Sequence, residues 1–183
     1  MTRHEEPPLP GMPHPLTPPP ADGGQRVRRS APELHPTSDD VRRFERKIVK
    51  SPTCWFWVGA ISTPDGYGRF TFQSGSAQRT MLAHRFALLV SGVDMGDDAV
   101  AEHGCNEPLC VRVDPAHVHR STQSDNLRFA VSRGRHIGNR PAVHSTYRAQ
   151  RSRKIRDALI DGWDKAAFAR AVGLDAEDQD RLF

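Results

Sequence analysis

The sequence predicts an α+β fold in which a strand, a metal-binding loop, a second strand and a helix follow one another. A helix and an aromatic hairpin precede this unit, a disordered tail lies on its N-terminal side and a helical tail on its C-terminal side. Three observations predict it. The ligand-type residues His103, Cys105, Cys110, His117 and Asn126 are spaced H-x-C-x4-C-x6-H-x8-N. Aromatic, β-favouring runs at 54–58 and 67–72 stand beside segments of helical period. Proline is segregated, with ten of the 15 prolines at or before Pro36.

Residues 1–37 run through Pro-Pro, Pro-Leu-Pro and Pro-Pro-Pro with Gly23-Gly24 and scattered charge. Such a composition cannot bury enough apolar surface to offset the entropy of ordering, so disorder is expected. The main domain is expected over 38–135. Ser38 is placed to cap a helix running to Lys50, with Asp39 and Asp40 in its first turn and Val41, Phe44 and Ile48 as its buried stripe. The runs Cys54 to Val58 and Tyr67 to Phe72, separated by Pro64-Asp65-Gly66, read as the two arms of a hairpin. Trp55 and Trp57 share one face at period two, where core packing is favoured over base stacking. Thr80 to Ser91 is apolar at Met81, Leu82, Phe86, Leu89 and Val90, which predicts a helix stopped by Gly92. Ala99 to Glu102 predicts a short strand delivering His103, and Val118 to Ser121 a strand pairing back. Thr122 or Ser124 then caps a helix from about Asp125 to Arg133.

A basic linker over 136–152 leads to a small helical segment over 153–183, helical at 153–161 and 165–172, with a further turn or two at 175–182. Ala169 and Gly173 have the four-residue offset of a helix-turn-helix. The helix that would read DNA, Asp175 to Arg181, is acidic and phosphate would repel it. Packing or partner docking is the expected role.

A chain of 183 residues suits one domain with appendages. Without its first 37 residues it keeps roughly 145, enough for a small core that a metal staple would help. The net charge is +4 and the pI near 9.3, unevenly spread. Residues 127–160 hold Arg128, Arg133, Arg135, Arg140, Arg148, Arg151, Arg153, Lys154 and Arg156 against one acid, Asp157. A polyanion is the natural partner of such a stretch, with Arg133, Arg135, Arg151, Arg153 and Lys154 as the candidate contacts. No apolar run approaches the ~18 residues that span a bilayer, and no signal peptide is readable. Three cysteines without an export signal argue for a reducing compartment rather than a disulfide framework. A cytoplasmic protein is expected.

Cysteine and histidine at short spacing favour tetrahedral Zn²⁺, and four such ligands close the site so that it is structural. Cys105, Cys110 and His117 supply three. Cys54 is the remaining cysteine and the expected fourth, with a water or His119 as the alternatives. His103 and Asn126 flank this loop and suit different chemistry. A neutral imidazole at a strand end can take a proton from water attacking a phosphodiester, provided an acceptor holds its other nitrogen. The amide oxygen of Asn126 suits a hard cation such as Mg²⁺. Taken singly, His103 also reads as a zinc or supporting ligand and Asn126 as a helix cap.

These motifs resemble the HNH endonucleases, in particular the zinc-containing branch close to the His-Cys box homing endonucleases. Small phage and actinobacterial HNH proteins share Cys54-Trp55-x-Trp57-x-Gly59, Gly66-Tyr67-Gly68-Arg69-Phe70 and Ala83-His84-Arg85. They share also a block like His103-x-Cys105 through Asn126, followed by Arg133-Gly134-Arg135. The resemblance covers roughly Cys54 to Arg135. It implies a ββα-metal core and DNA hydrolysis to 5′-phosphate and 3′-hydroxyl ends. His103 would be the general base, Asn126 the Mg²⁺ ligand, Cys54, Cys105, Cys110 and His117 the zinc set, and Arg85 a contact to the scissile phosphate. A homodimer is a further possible partner arrangement. One departure stands out: Val111-Arg112-Val113-Asp114 precede Pro115-Ala116-His117, two residues more than the family spacing, with Asp for the usual Asn. A non-catalytic zinc module that binds DNA or scaffolds a phage or mobile-element complex, and an RNA-directed nuclease, are the rival readings.

Overall fold

The computed structural model describes residues 34–96, 99–132 and 142–179, with side chains in the last stretch given for 147–173. These residues form a mixed α+β structure whose strands pair as three two-stranded antiparallel sheets. Most of the proline-rich tail, residues 1–33, lies outside the described residues. Leu34, at its inner edge, packs against the core.

Helix α1 (Ser38–Glu45) is capped by Thr37, one residue before the expected cap. Thr37 Oγ1 accepts from Asp40 N at 3.1 Å and the Asp40 carboxylate accepts from Thr37 N at 3.1 Å, a reciprocal capping box. The helix also ends early. β-branched Ile48 and Val49 leave it to form β1 (Ile48–Lys50), which pairs with β2 (Trp55–Trp57) in the register Ile48↔Trp57. Ile48 is thus a strand residue and not part of a helical stripe.

The expected hairpin between the two aromatic runs does not form. β2 pairs backward with β1, and β3 (Arg69–Ser74) pairs forward with β4 (Ala77–Leu82), Phe70 opposite Met81. A two-residue turn with Gly75 at φ 60° closes the second hairpin. The Pro64-Asp65-Gly66 segment does turn, with Ser62 N donating to Tyr67 O at 2.8 Å, but it closes only the single bridge Ile61↔Gly68. Thr80 to Leu82 belong to β4, so α2 (Ala83–Val90) begins three residues later than expected; Gly92 follows it at φ 72°.

β2 is buried on both faces. Trp57 is fully enclosed by Phe44, stacked at 5.0 Å, and by Phe70, edge-on at 5.6 Å, and its indole N–H donates to Ala60 O. Phe86 of α2 closes this cluster against Phe44, Phe70 and Phe72. Phe56 points the other way, onto Trp163 and Phe168. Those two belong to the C-terminal helices α4 (Ala142–Leu159) and α5 (Lys165–Gln179) with their connection. α4 starts eleven residues before the expected Arg153, so most of the expected linker is helix; α5 continues through Gly173 where a break was expected.

The strand–loop–strand–helix unit lies where the sequence placed it: β5 (Ala99–His103), β6 (Val118–Thr122) and α3 (Gln123–Ser132). β5 and β6 pair with Glu102 opposite His119 and His103 opposite Val118. Thr122 Oγ1 accepts from Asp125 N at 3.1 Å and so caps α3. α3 packs on both strands. No helix among the described residues is long and apolar enough to cross a membrane.

Candidate metal centre and the adjoining polar site

β2 continues past its own hairpin to pair with the loop between β5 and β6. Trp57 N donates to Leu109 O and Val111 N to Trp55 O, each at 2.8 Å, with Phe56 bridging Cys110. This pairing sets Cys54, just before β2, beside Cys110. The loop folds back on itself at Gly104, whose N donates to His117 O at 2.7 Å. A Cβ there would stand 2.7 Å from Ala116 O, so glycine is required.

The consequence is a cluster. One ligand atom from each of Cys54, Cys105, Cys110 and His117 lies within 4.8 Å of the others. His117 Nδ1 is 3.6 Å from Cys54 Sγ and 3.6 Å from Cys110 Sγ. A tetrahedral zinc with Zn–S near ~2.3 Å and Zn–N near ~2.0 Å needs ligand atoms roughly 3.6–3.8 Å apart. The four residues can therefore hold a metal ion and are consistent with structural zinc. Three sulfurs this close cannot all ionise on their own. Donation from Cys110 and Cys54 holds the Cys105 thiol far below its ordinary pKa, while donation to Cys105 pushes Cys54 far up and Cys110 up to about 12. A bound cation replaces those shared protons and lets each thiolate form.

Between Cys110 and His117, Val111 is buried and Arg112, Val113 and Asp114 are half buried. Arg112 spans this stretch, pairing with Asp114 at 2.6 Å and donating to Thr53 O at 2.7 Å. Asp114 accepts from Ala116 N at 2.9 Å, an Asx turn that aims the chain at His117. His119, the alternative ligand, is not in the cluster; it belongs to β6 and its Nδ1 is buried without a partner.

His103 ends β5 with its ring buried. Its Nε2 is 3.0 Å from Cys110 O. A carbonyl can only accept, so Nε2 carries the proton and the lone pair is on Nδ1. Tyr67 stacks on this ring at 5.8 Å and His84 meets it edge to face at 4.4 Å. Asn126 is on the first turn of α3 and half buried, on the side of the helix that also carries Phe129 and Ala130. Strand alternation sends Glu102 to the face opposite His103. Glu102 is 7 % exposed and has no hydrogen bond or ion pair among the described residues. It lines an open concavity of about 620 Å³ with His119, Ser121, Asp125 and Phe129, between the hairpin and α3.

No protein-family model, curated protein or solved structure matches this chain.

The remaining expected site residues are scattered. Arg85 is exposed on α2. Arg133 and Arg135 lie outside the described residues. Arg151 turns inward, its guanidinium 2.9 Å from the buried carboxylate of Glu107 in the metal loop. Lys154 is exposed and Arg153 half buried. Glu102 and Glu107 were not singled out from the sequence. Glu102 immediately precedes His103 on a strand and was open to an alternation argument; Glu107 acts across 44 residues of chain, which no local pattern encodes.

Proposed function

We propose that the protein is a metal-dependent endonuclease of the HNH type that hydrolyses phosphodiester bonds of duplex DNA, with β5, β6 and α3 as its ββα-metal core and structural zinc holding the loop between the strands. The observation that carries this reading is the His103 hydrogen bond to Cys110 O. It fixes the tautomer with a basic Nδ1, and it makes the geometry of the base depend on the metal loop. His103 takes a proton from water as the water oxygen adds to phosphorus. Asn126, with Glu102 as a second oxygen ligand, would hold a hard divalent cation such as Mg²⁺; the fit rests on the buried, unpartnered Glu102 carboxylate beside α3. When bound, the ion supplies charge stabilisation at the phosphoryl and leaving 3′ oxygens. Arg85 approaches the phosphate from α2, and Arg153 and Lys154 with the basic segment before α4 contact the backbone.

The test is cleavage of supercoiled plasmid in Mg²⁺, Mn²⁺ or chelator, with single-stranded RNA assayed alongside. His103→Ala should lower the rate by about a hundredfold to ten-thousandfold while zinc content stays at that of the wild type. Full activity in that variant would remove His103 from the reaction. Tight DNA binding without cleavage by the wild type in any metal would leave a non-catalytic zinc module.

A further inference from the structure

The Ala83-His84-Arg85 motif opens α2, and the reaction proposed above uses only its arginine. His84 is 4 % exposed on a helix face otherwise made of Ala83, Phe86, Ala87 and Leu88. Its Nδ1 is sealed from solvent with no hydrogen-bond partner. A buried polar atom left unsatisfied lowers stability, a loss that a phenylalanine of similar shape would avoid. A sealed lone pair is tolerated better than a sealed N–H, so the proton belongs on Nε2. That atom is not among the sealed ones and makes no hydrogen bond to protein among the described residues. Burial, then the neighbouring charges of His103 and Arg85, hold the ring well below the ordinary histidine pKa, so it is neutral at neutral pH. The ring centroid is 4.4 Å from that of His103, and Tyr67 packs against both. The two imidazoles and the Tyr67 ring therefore form one contiguous patch.

We propose that His84 is a second catalytic residue of this site, donating a hydrogen bond from Nε2 to a non-bridging oxygen of the scissile phosphate; the assignment rests on the hydrolase reading above. Negative charge grows on that oxygen as the water oxygen bonds to phosphorus, and a fixed donor in a dry wall stabilises it without reorganising. His84 gives up no proton. The water proton passes to His103, the bond from phosphorus to the 3′ oxygen breaks, and solvent protonates the leaving oxygen.

The experiment compares steady-state cleavage of a short duplex in Mg²⁺ by the zinc-loaded full chain, by His84→Phe and by His84→Gln, each with its melting temperature. His84→Phe should lower kcat by about a hundredfold with KM within about twofold, and should melt at or above the wild-type temperature because the sealed nitrogen is gone. His84→Gln, which keeps an N–H donor, should recover about tenfold of the loss. Wild-type kcat in His84→Phe, or a loss that only tracks a lowered melting temperature, overturns the proposal. A second measurement needs no turnover: ¹⁵N-imidazole spectra of the wild type titrated with the same duplex in Ca²⁺. The His84 Nε2–H resonance should move on binding. If it moves while the wild type cleaves nothing, the hydrolase reading falls and the phosphate donor stands. If it does not move, the donor assignment falls whatever the cleavage result.

Discussion

At the scale of one side chain, Asp40 ties α1 to β3. Its carboxylate accepts from Thr37 N and Thr37 Oγ1, from Gln73 N of β3, and from Arg43, which itself lies over the Phe70 ring. Burial alone would raise its pKa, yet these donors and the Arg43 charge hold it below the usual carboxylate value. A folded-state pKa below the unfolded one stabilises in full above about pH 3.9 and is lost as the pH falls through the folded value. Asp40→Asn should therefore melt lower than wild type at pH 6, with the gap narrowing towards pH 3; a gap that does not change with pH would show the charge to be idle. At this scale the cluster of Cys54, Cys105, Cys110 and His117 was legible, three of its members because scarce residue types recur at short intervals and Cys54 as the one remaining cysteine. His84, Glu102 and Glu107 were less so, since their meaning lies in what surrounds them.

Elements were legible where one segment decides its own state and less so where it must choose a partner. β5, β6 and α3 follow from alternation, a cap and their closeness in sequence. The aromatic runs were correctly read as strands, but propensity does not name the opposite strand, and the tight turns at 51–54 and 75–76 closed local hairpins before the longer loop at 58–66 could close one. The metal loop and α4 show an analogous coupling. Glu107 accepts from Leu109 N at 3.1 Å within the loop and from Arg151 Nη1 at 2.9 Å across to α4. Arg151→Met should leave that carboxylate buried without its cation and lower stability by about 1–3 kcal/mol in urea unfolding. Lys154→Ala, on the exposed side of the same helix, should leave stability alone and reduce the slope of log affinity against log salt by about 1 in duplex-DNA binding. Equal effects of the two substitutions on the salt slope would place both on the DNA-facing surface.

For the molecule as a whole, the metal cluster joins regions far apart in sequence, Cys54 beside β2 and Cys105, Cys110 and His117 in the loop between β5 and β6. A cation shared by these segments would contribute directly to folding. Chelation should abolish the cooperative thermal transition, read by near-ultraviolet circular dichroism through the buried Trp57, and zinc should restore it. A transition unchanged by chelator would mean the cluster is dispensable to the fold. The sequence placed the helices at 153–161 and 165–172 but treated them as an appendage, because Phe56 gives no local sign that its face needs covering. Trp163 and Phe168 cover it, directly behind the strand that positions Cys54. During synthesis the ribosome delivers β2 more than a hundred residues ahead of these two aromatics. The nascent chain carries that face bare until residue 168 has cleared the exit tunnel, so the strand that positions Cys54 gains its cover only long after it has been made.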